Sequence, residues 1–215
     1  MEPREVAELV MDKVWGYCSK NRNRYDVVVN CYADHHPDEL DTFIYSFLPE
    51  KEAEELKKVI ANSGMFWDEV KKEYEELWNE EMGLQLGELL SDEITGGYES
   101  IVQNAEISDE TKAKRLKAYA KVLEEFAEAI KRALKEKKPL PELELLDWFD
   151  KMGDAVFGVK NYNYYEMIGY EVGFYEGLSD DGKLKVLSIL LDEIGDVLYD
   201  IDKDLSELGA LTNKS

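Results

Sequence analysis

The chain has 215 residues, of which 44% are hydrophobic and 34% charged, a balance typical of globular rather than disordered proteins. Its formal net charge of −22 opposes binding to nucleic-acid phosphates and to anionic membranes. No apolar run approaches the roughly 18 residues of a membrane span, and the acidic N-terminus does not look like a signal peptide. We therefore expect a cytoplasmic protein that binds neither nucleic acid nor membranes. Its abundant Glu and Lys are also typical of thermophiles.

The beginning of the chain predicts short helices and one ambiguous segment. Helical patterns are expected at 2–20, 37–47 and 50–61. The run at 25–33 is rich in β-branched residues and fits either a strand or a buried helix. Because a lone strand would lack a partner, the helix is favoured.

The cysteines and histidines predict no chemistry of their own. Cys18 and Cys31 form no CxxC pair, so we expect buried free thiols rather than a disulfide or a zinc site. His35 and His36 precede Pro37, and helix capping explains this stretch. A transition-metal site formed with neighbouring carboxylates is the alternative. No nucleophile motif or P-loop is present, so no catalytic residue is predicted.

Three long helical patterns follow, near 67–94, 109–137 and 180–208. The first is expected to end at the glycine pair 96–97, because glycine often terminates helices. Ser108 is a good N-cap for the second, and Ser179 for the third. The fold expected from these patterns is an all-α bundle of about seven to nine helices.

The stretch NYNYYEMIGYEVGFYEGL at 161–178 places glycines four residues apart among aromatic residues. Glycine costs about 1 kcal/mol relative to alanine inside a helix, so a compensating contact is expected. Small residues on one ridge let two helices approach closely, and a crossing of the helices at 162–177 and 67–90 is favoured. A homodimer interface and a ligand cleft are the alternatives. The residues assigned to this contact are Gly83, Gly87, Tyr165, Gly169, Gly173 and Gly177.

The two helical segments that carry glycines four residues apart also resemble each other. Aligning 67–107 with 153–193 superimposes their glycine pairs and matches several Asp, Val and Glu positions. This predicts an internal duplication, in which two similar helical halves form one all-α domain of residues 1–215. Chance similarity is the alternative.

Two acidic patterns are typical of metal binding. The phrase LLDEIGDVLYDI at 190–201 carries Glu193 and Asp196 as an ExxD pair. It resembles the metal-binding helix of the MazG-like family of all-α nucleoside triphosphate pyrophosphatases. The resemblance implies four carboxylates that hold Mg²⁺ and, through it, a triphosphate, but the family's upstream ExxE pair is absent at its usual spacing. The residues of a fuller ExxE…ExxD pattern elsewhere are Glu125, Glu128, Glu144 and Asp147.

The function favoured by these patterns is non-enzymatic: an acidic intracellular interaction protein that self-associates as a homo-oligomer and docks on a protein partner. One alternative is an Mg²⁺-dependent nucleoside triphosphate pyrophosphatase. Another is a nucleic-acid mimic that occupies the basic site of its partner. The alternative without a specific function is that the acidic patterns are solvent-exposed faces of amphipathic helices.

The docking hypothesis predicts an exposed acidic face on the first long helix. Tyr74, Leu77 and Leu84 should then point inward. The acids expected on this face are Glu73, Glu75, Glu76, Glu80 and Glu81.

Overall fold

The computed structural model describes residues 2–34, 36–40, 49–63, 67–159 and 164–212. Throughout these residues the regular structure is helical, so the predicted all-α fold is confirmed. The eight α-helices of this part of the chain are α1 (Pro3–Ser19), α2 (Arg24–Asp34), α3 (Glu50–Ser63), α4 (Trp67–Val102), α5 (Asp109–Glu136), α6 (Glu142–Phe157), α7 (Tyr164–Glu176) and α8 (Asp180–Thr212). None of these described helices is both long enough and apolar enough to cross a membrane.

The chain divides into two compact units, Met1–Gln85 and Leu86–Ser215, and the division falls inside α4. In the first unit, α1 packs on α2 and on α3. In the second unit, α5 packs on α8 and α6, α6 packs on α7, and α7 touches α8. The single domain and the internal duplication expected from the sequence stay predictions.

In the first unit, Cys18 of α1 and Cys31 of α2 form a disulfide, so the expectation of free thiols is wrong. A tight turn in which Asn21 has a positive φ of 59° folds α2 back on α1 and brings the two cysteine Cα atoms to 6.0 Å. The chain-entropy model assigns about 3 kcal/mol to closing a loop of this size. Disulfides are typical of oxidising compartments and of intracellular hyperthermophile proteins, so the cytoplasmic location stays a prediction.

The ambiguous run at 25–33 is helical, because it lies within α2, as the sequence favoured. The helix expected at 37–47 is described only in its first residues, where Pro37–Glu39 forms a 3₁₀ turn. The remainder, 41–48, lies outside the described residues.

Helix α4 continues to Val102, so the end predicted at the glycine pair is wrong. Gly97 instead makes room for a side chain of α5, since a Cβ added there would lie 2.6 Å from Tyr119 Oη. That hydroxyl donates a 2.6 Å hydrogen bond to the carbonyl oxygen of Ile94. The glycine therefore serves a tertiary contact within a continuous helix.

The starts of α5 and α8 are capped as their sequences predict. Ser108 Oγ accepts a 3.1 Å hydrogen bond from the backbone N–H of Thr111, and Ser179 Oγ accepts one of 3.2 Å from Gly182. The apolar stripe of α5 then packs into the core of the second unit. Its buried residues are Leu116, Tyr119, Leu123, Phe126, Ala127, Ala129, Ile130 and Ala133.

Candidate interaction surface

The acidic face predicted on α4 is partly neutralised by a cation from α1. Arg4 Nη1 lies 3.0 Å from Glu73 Oε2 and 3.7 Å from Glu76 Oε2. Glu81 accepts a 3.0 Å hydrogen bond from the amide of Gln85. Three of the five carboxylates of the predicted face therefore have a partner within the chain.

The orientation of α4 is close to the one expected. Tyr74 is fully buried, whereas Leu77 and Leu84 are only half-buried at the edge of the inward face. Glu75 and Glu80 remain exposed. Glu76 is exposed as well, so three of the five predicted acids face solvent, and the docking face on this helix stays a prediction.

A second acidic surface lies on α8, whose stretch 190–201 the sequence suggested for metal binding and not for docking. Helix α8 carries nine Asp and Glu residues against three Lys, whereas α5 carries six against eight Lys and Arg. Several acids of α8 follow one another at intervals of four or seven residues, which places them on one side of the helix. The residues of this surface, here called the α8 acidic face, are Asp192, Asp196, Tyr199, Asp200, Lys203 and Glu207, all exposed.

The α8 acidic face is open within the described part of the chain. None of its four carboxylates takes part in an ion pair with another described residue. Tyr199, in the middle of the face, is 73% exposed. The face extends for about 22 Å along the helix, given a rise of about 1.5 Å per residue.

Other acids of α8 are held by hydroxyl groups of α4. Thr95 Oγ1 donates a hydrogen bond to Glu193, and Tyr98 Oη donates one to Asp204. Burial, followed by the hydrogen bond to Asp204 and the nearby acidic charges, raises the pKa of Tyr98. The acids of α8 thus separate into a group that anchors α8 on α4 and a group that faces solvent.

Glu171 of α7 is a partly buried acid with an unusual environment. Its Oε2 atom is buried and has no hydrogen-bond partner among the described residues. Burial and the charge of Glu93 raise the pKa of Glu171 from 4.5 to about 7. This carboxyl group therefore titrates near neutral pH.

The carboxylates proposed for magnesium are exposed on two helices. In the described part of the chain, no group of three or more His, Cys, Asp or Glu side chains is arranged to hold a metal ion. Glu128 forms an ion pair of 3.2 Å with Lys131. The magnesium site thus stays a prediction that the geometry does not support. Its exposed residues are Glu125, Glu128, Glu144 and Asp147.

The histidine stretch has a capping role where it is described. His36 Nδ1 accepts a 3.2 Å hydrogen bond from the backbone N–H of Asp38 and so caps the 3₁₀ turn, as the sequence suggested. His35 lies outside the described residues.

The glycines of α4 face the interior. Gly83 and Gly87 are buried, and a Cβ added at Gly87 would lie 2.8 Å from Ile189 Cδ1. Gly87 therefore permits a close contact with α8, whereas the sequence suggested α7 as the partner. The side chain of Tyr165, assigned to the same contact, lies outside the described part of α7.

The glycines of α7 lie in open space. Among the described residues, a Cβ added at Gly169 or Gly173 would meet no atom within 4 Å, and both Gly173 and Gly177 are exposed. Beside them Tyr170 is 60% exposed, and its ring contacts Phe174 edge-on with centroids 5.2 Å apart. This ridge has no close partner in the described chain.

Comparisons of the chain with protein-family models, with curated proteins and with solved structures found no match. The chain's own surfaces, and the α8 acidic face in particular, must therefore indicate its function.

Proposed function

We propose that the protein is an acidic interaction protein whose α8 acidic face docks on a basic protein partner. The observation that carries this proposal is the row of exposed carboxylates on α8, among which Lys203 is the only cation. Carboxylates concentrated on one side attract cations and accelerate the encounter with a basic surface. Tyr199 offers an exposed ring on which a Lys or Arg side chain can stack.

Solubility alone accounts less well for this arrangement. Mixed charges of both signs, as on α5, are enough to keep a surface soluble. Like charges four residues apart destabilise a helix by about 0.2–0.5 kcal/mol per pair, and Asp196 forms such pairs with Asp192 and Asp200. A basic partner would remove this repulsion on binding.

The test compares two double variants that change the net charge equally. Asp192→Asn/Asp196→Asn alters the α8 acidic face, and Glu124→Gln/Glu136→Gln alters exposed acids of α5. The probe is a labelled helical peptide of about 20 residues with lysines four apart, and its binding is measured by fluorescence anisotropy. Two exposed charge pairs contribute about 1.4 kcal/mol, so the α8 variant should bind about tenfold more weakly.

The α5 variant should bind the peptide within about twofold of the unmodified chain. Raising NaCl from about 50 to about 300 mM should weaken binding by the unmodified chain and remove most of the difference from the α8 variant. Equal losses in the two variants would show that net charge, and not this face, attracts the peptide, and the proposal would be wrong.

Self-association is the second part of the proposal, and the open glycine ridge of α7 supports it. Two such ridges can approach closely, with Tyr170 and Phe174 packing around the contact. Because Gly173 has open space around it among the described residues, Gly173→Leu should not lower the melting temperature, and it should lower the oligomeric mass in analytical ultracentrifugation. Gly195→Leu, at an equally open glycine of α8, is the control. A chain that sediments as a monomer before substitution contradicts this part.

A further inference from the structure

A recess of about 450 Å³ lies in the second unit, between α5 and the C-terminal end of α6. Ala118 and Ala155 form part of its lining, and Val159, at its edge, is 55% exposed. The recess is separate from the α8 acidic face, since none of its lining residues belongs to α8. Its size and apolar lining suit a small organic molecule.

Charged groups of both signs share this recess. Lys114 and Arg115 line it from α5, and Asp154 lines it from α6. Within the described residues, Asp154 forms no ion pair with either of these cations, so charges of both signs are available to a ligand.

Arg115 is held beside the recess by the end of α6. Its Nη1 lies 3.5 Å from the carbonyl oxygen of Val156, a long and weak hydrogen bond, and its other N–H donors remain available. Gly158 ends α6 with a φ of +67°, and a Cβ added there would lie 3.1 Å from Arg115 Nε. Glycine thus satisfies both the left-handed backbone and the close approach of the guanidinium.

We propose that the recess binds a small zwitterion of the α-amino-acid type with a short apolar side chain. Its ammonium group donates to the carboxylate of Asp154, near the C-terminal end of α6, where the helix dipole favours a cation. Its carboxylate accepts hydrogen bonds from Arg115 and Lys114. Its apolar side chain covers Ala118 and Ala155.

The probes are L-leucine and two analogues that each lack one charged group: 4-methylpentanoate has no ammonium, and 3-methylbutylamine has no carboxylate. Each is titrated into the ¹⁵N-labelled chain up to about 20 mM while amide shifts are followed by NMR. Leucine should shift the amides of Gly158 and Val159 saturably, with a Kd of about 1 mM. Each analogue should bind at least about tenfold more weakly, because one charge-assisted hydrogen bond is lost.

Variants connect the binding to the named side chains. Asp154→Asn and Arg115→Gln should each weaken leucine binding about tenfold. Asp147→Asn and Lys117→Gln, on the same two helices but outside the recess, should leave it unchanged. The same spectra report whether each variant is folded. If Arg115→Gln is unfolded, leucine binding by Asp154→Asn alone tests the proposal.

Three outcomes would overturn the proposal. Equal binding of leucine and 4-methylpentanoate would indicate a simple anion site, and the absence of saturable shifts would indicate a recess without this ligand class. Undiminished leucine binding by Asp154→Asn would place the ligand elsewhere. None of these outcomes bears on the α8 acidic face, so the proposed function is tested independently.

Discussion

Helices α5 and α8 pack against each other in the second unit, yet they present opposite charge patterns to solvent. Helix α5 has more cations than acids, and its Glu128 pairs with Lys131 one turn away. Helix α8 has three times as many acids as cations, and the carboxylates of its acidic face have no ion-pair partner among the described residues. Both helices bury a comparable apolar stripe. The packing therefore requires only the inner faces, and the outer face of α8 is available for binding.

Both helices also rely on a glycine of α4. Gly97 admits Tyr119 of α5, and Gly87 admits Ile189 of α8. The two helices thus make the same kind of inner contact, and they differ in their exposed charges. Substitutions on the inner and outer faces should therefore change the free energy of unfolding by different amounts and with different signs.

The largest effect is expected on the inner side of α5. Gly97→Ala places a Cβ 2.6 Å from Tyr119 Oη and disturbs its hydrogen bond to Ile94, so the free energy of unfolding should fall by about 2–3 kcal/mol. At its neighbour Gly96, no atom of the described residues lies within 4 Å of an added Cβ, so Gly96→Ala should raise the free energy of unfolding by about 0.5–1 kcal/mol. Urea melts measure both. Two changes of the same sign would exclude the contact with α5 as the reason for Gly97.

The next effect is a pH dependence of stability, which we expect from the partly buried acid of α7 and not from the exposed acids of α8. The pKa of Glu171 is raised from 4.5 to about 7, so the folded chain retains a proton that the unfolded chain releases. The contribution of this retained proton to the free energy of unfolding is fully present below pH 4.5 and is lost as the pH rises through 7. The full shift corresponds to about 3 kcal/mol, and screening of this partly exposed group reduces it to about 1–2 kcal/mol.

Chemical melts between about pH 5 and pH 8 measure this loss. Glu171→Gln should flatten the pH dependence, whereas Asp196→Asn on the α8 acidic face should leave it unchanged. A slope that survives Glu171→Gln would assign the titration to another group.

The helices and their caps could be predicted because their signals are local. Apolar periodicity and the serines at 108 and 179 lie within or beside the elements that they specify. The end of α4 could not be predicted, because the side chain that needs Gly97 comes from another helix. The disulfide could not be predicted either, since the pairing of Cys18 with Cys31 depends on how α2 folds back on α1.

The candidate site was only partly readable from the sequence. The acid count of α8 is visible there, and comparison with α5 would have marked it. The separation of these acids into anchored and open groups is not visible, because Thr95 and Tyr98 belong to α4. On α4, in turn, the neutralising Arg4 comes from α1, far away in sequence.

A smaller effect distinguishes the anchored side of α8 from its open side. Tyr98→Phe removes the donor to Asp204 and should lower the free energy of unfolding by about 1.5 kcal/mol. Tyr199→Phe makes the same chemical change at a ring that is 73% exposed, and it should stay within about 0.5 kcal/mol. Thermal melts of the two variants provide the measurement. Equal destabilisation would mean that Tyr199 also anchors the helix.

The smallest effect tests the charge contrast itself. Asp196→Asn removes the repulsion from Asp192 and Asp200, each four residues away, and should raise the free energy of unfolding by about 0.5 kcal/mol at low salt. Glu128→Gln on α5 removes the attraction to Lys131 and should lower it by about 0.3 kcal/mol. Urea melts at about 20 mM and about 500 mM NaCl should show both differences shrinking as the field is screened. Changes of the same sign would mean that the two helices balance their charges alike. Opposite signs, together with weaker binding of the lysine peptide by the α8 double variant that includes Asp196→Asn, would show that the carboxylates of the α8 acidic face serve binding and not folding.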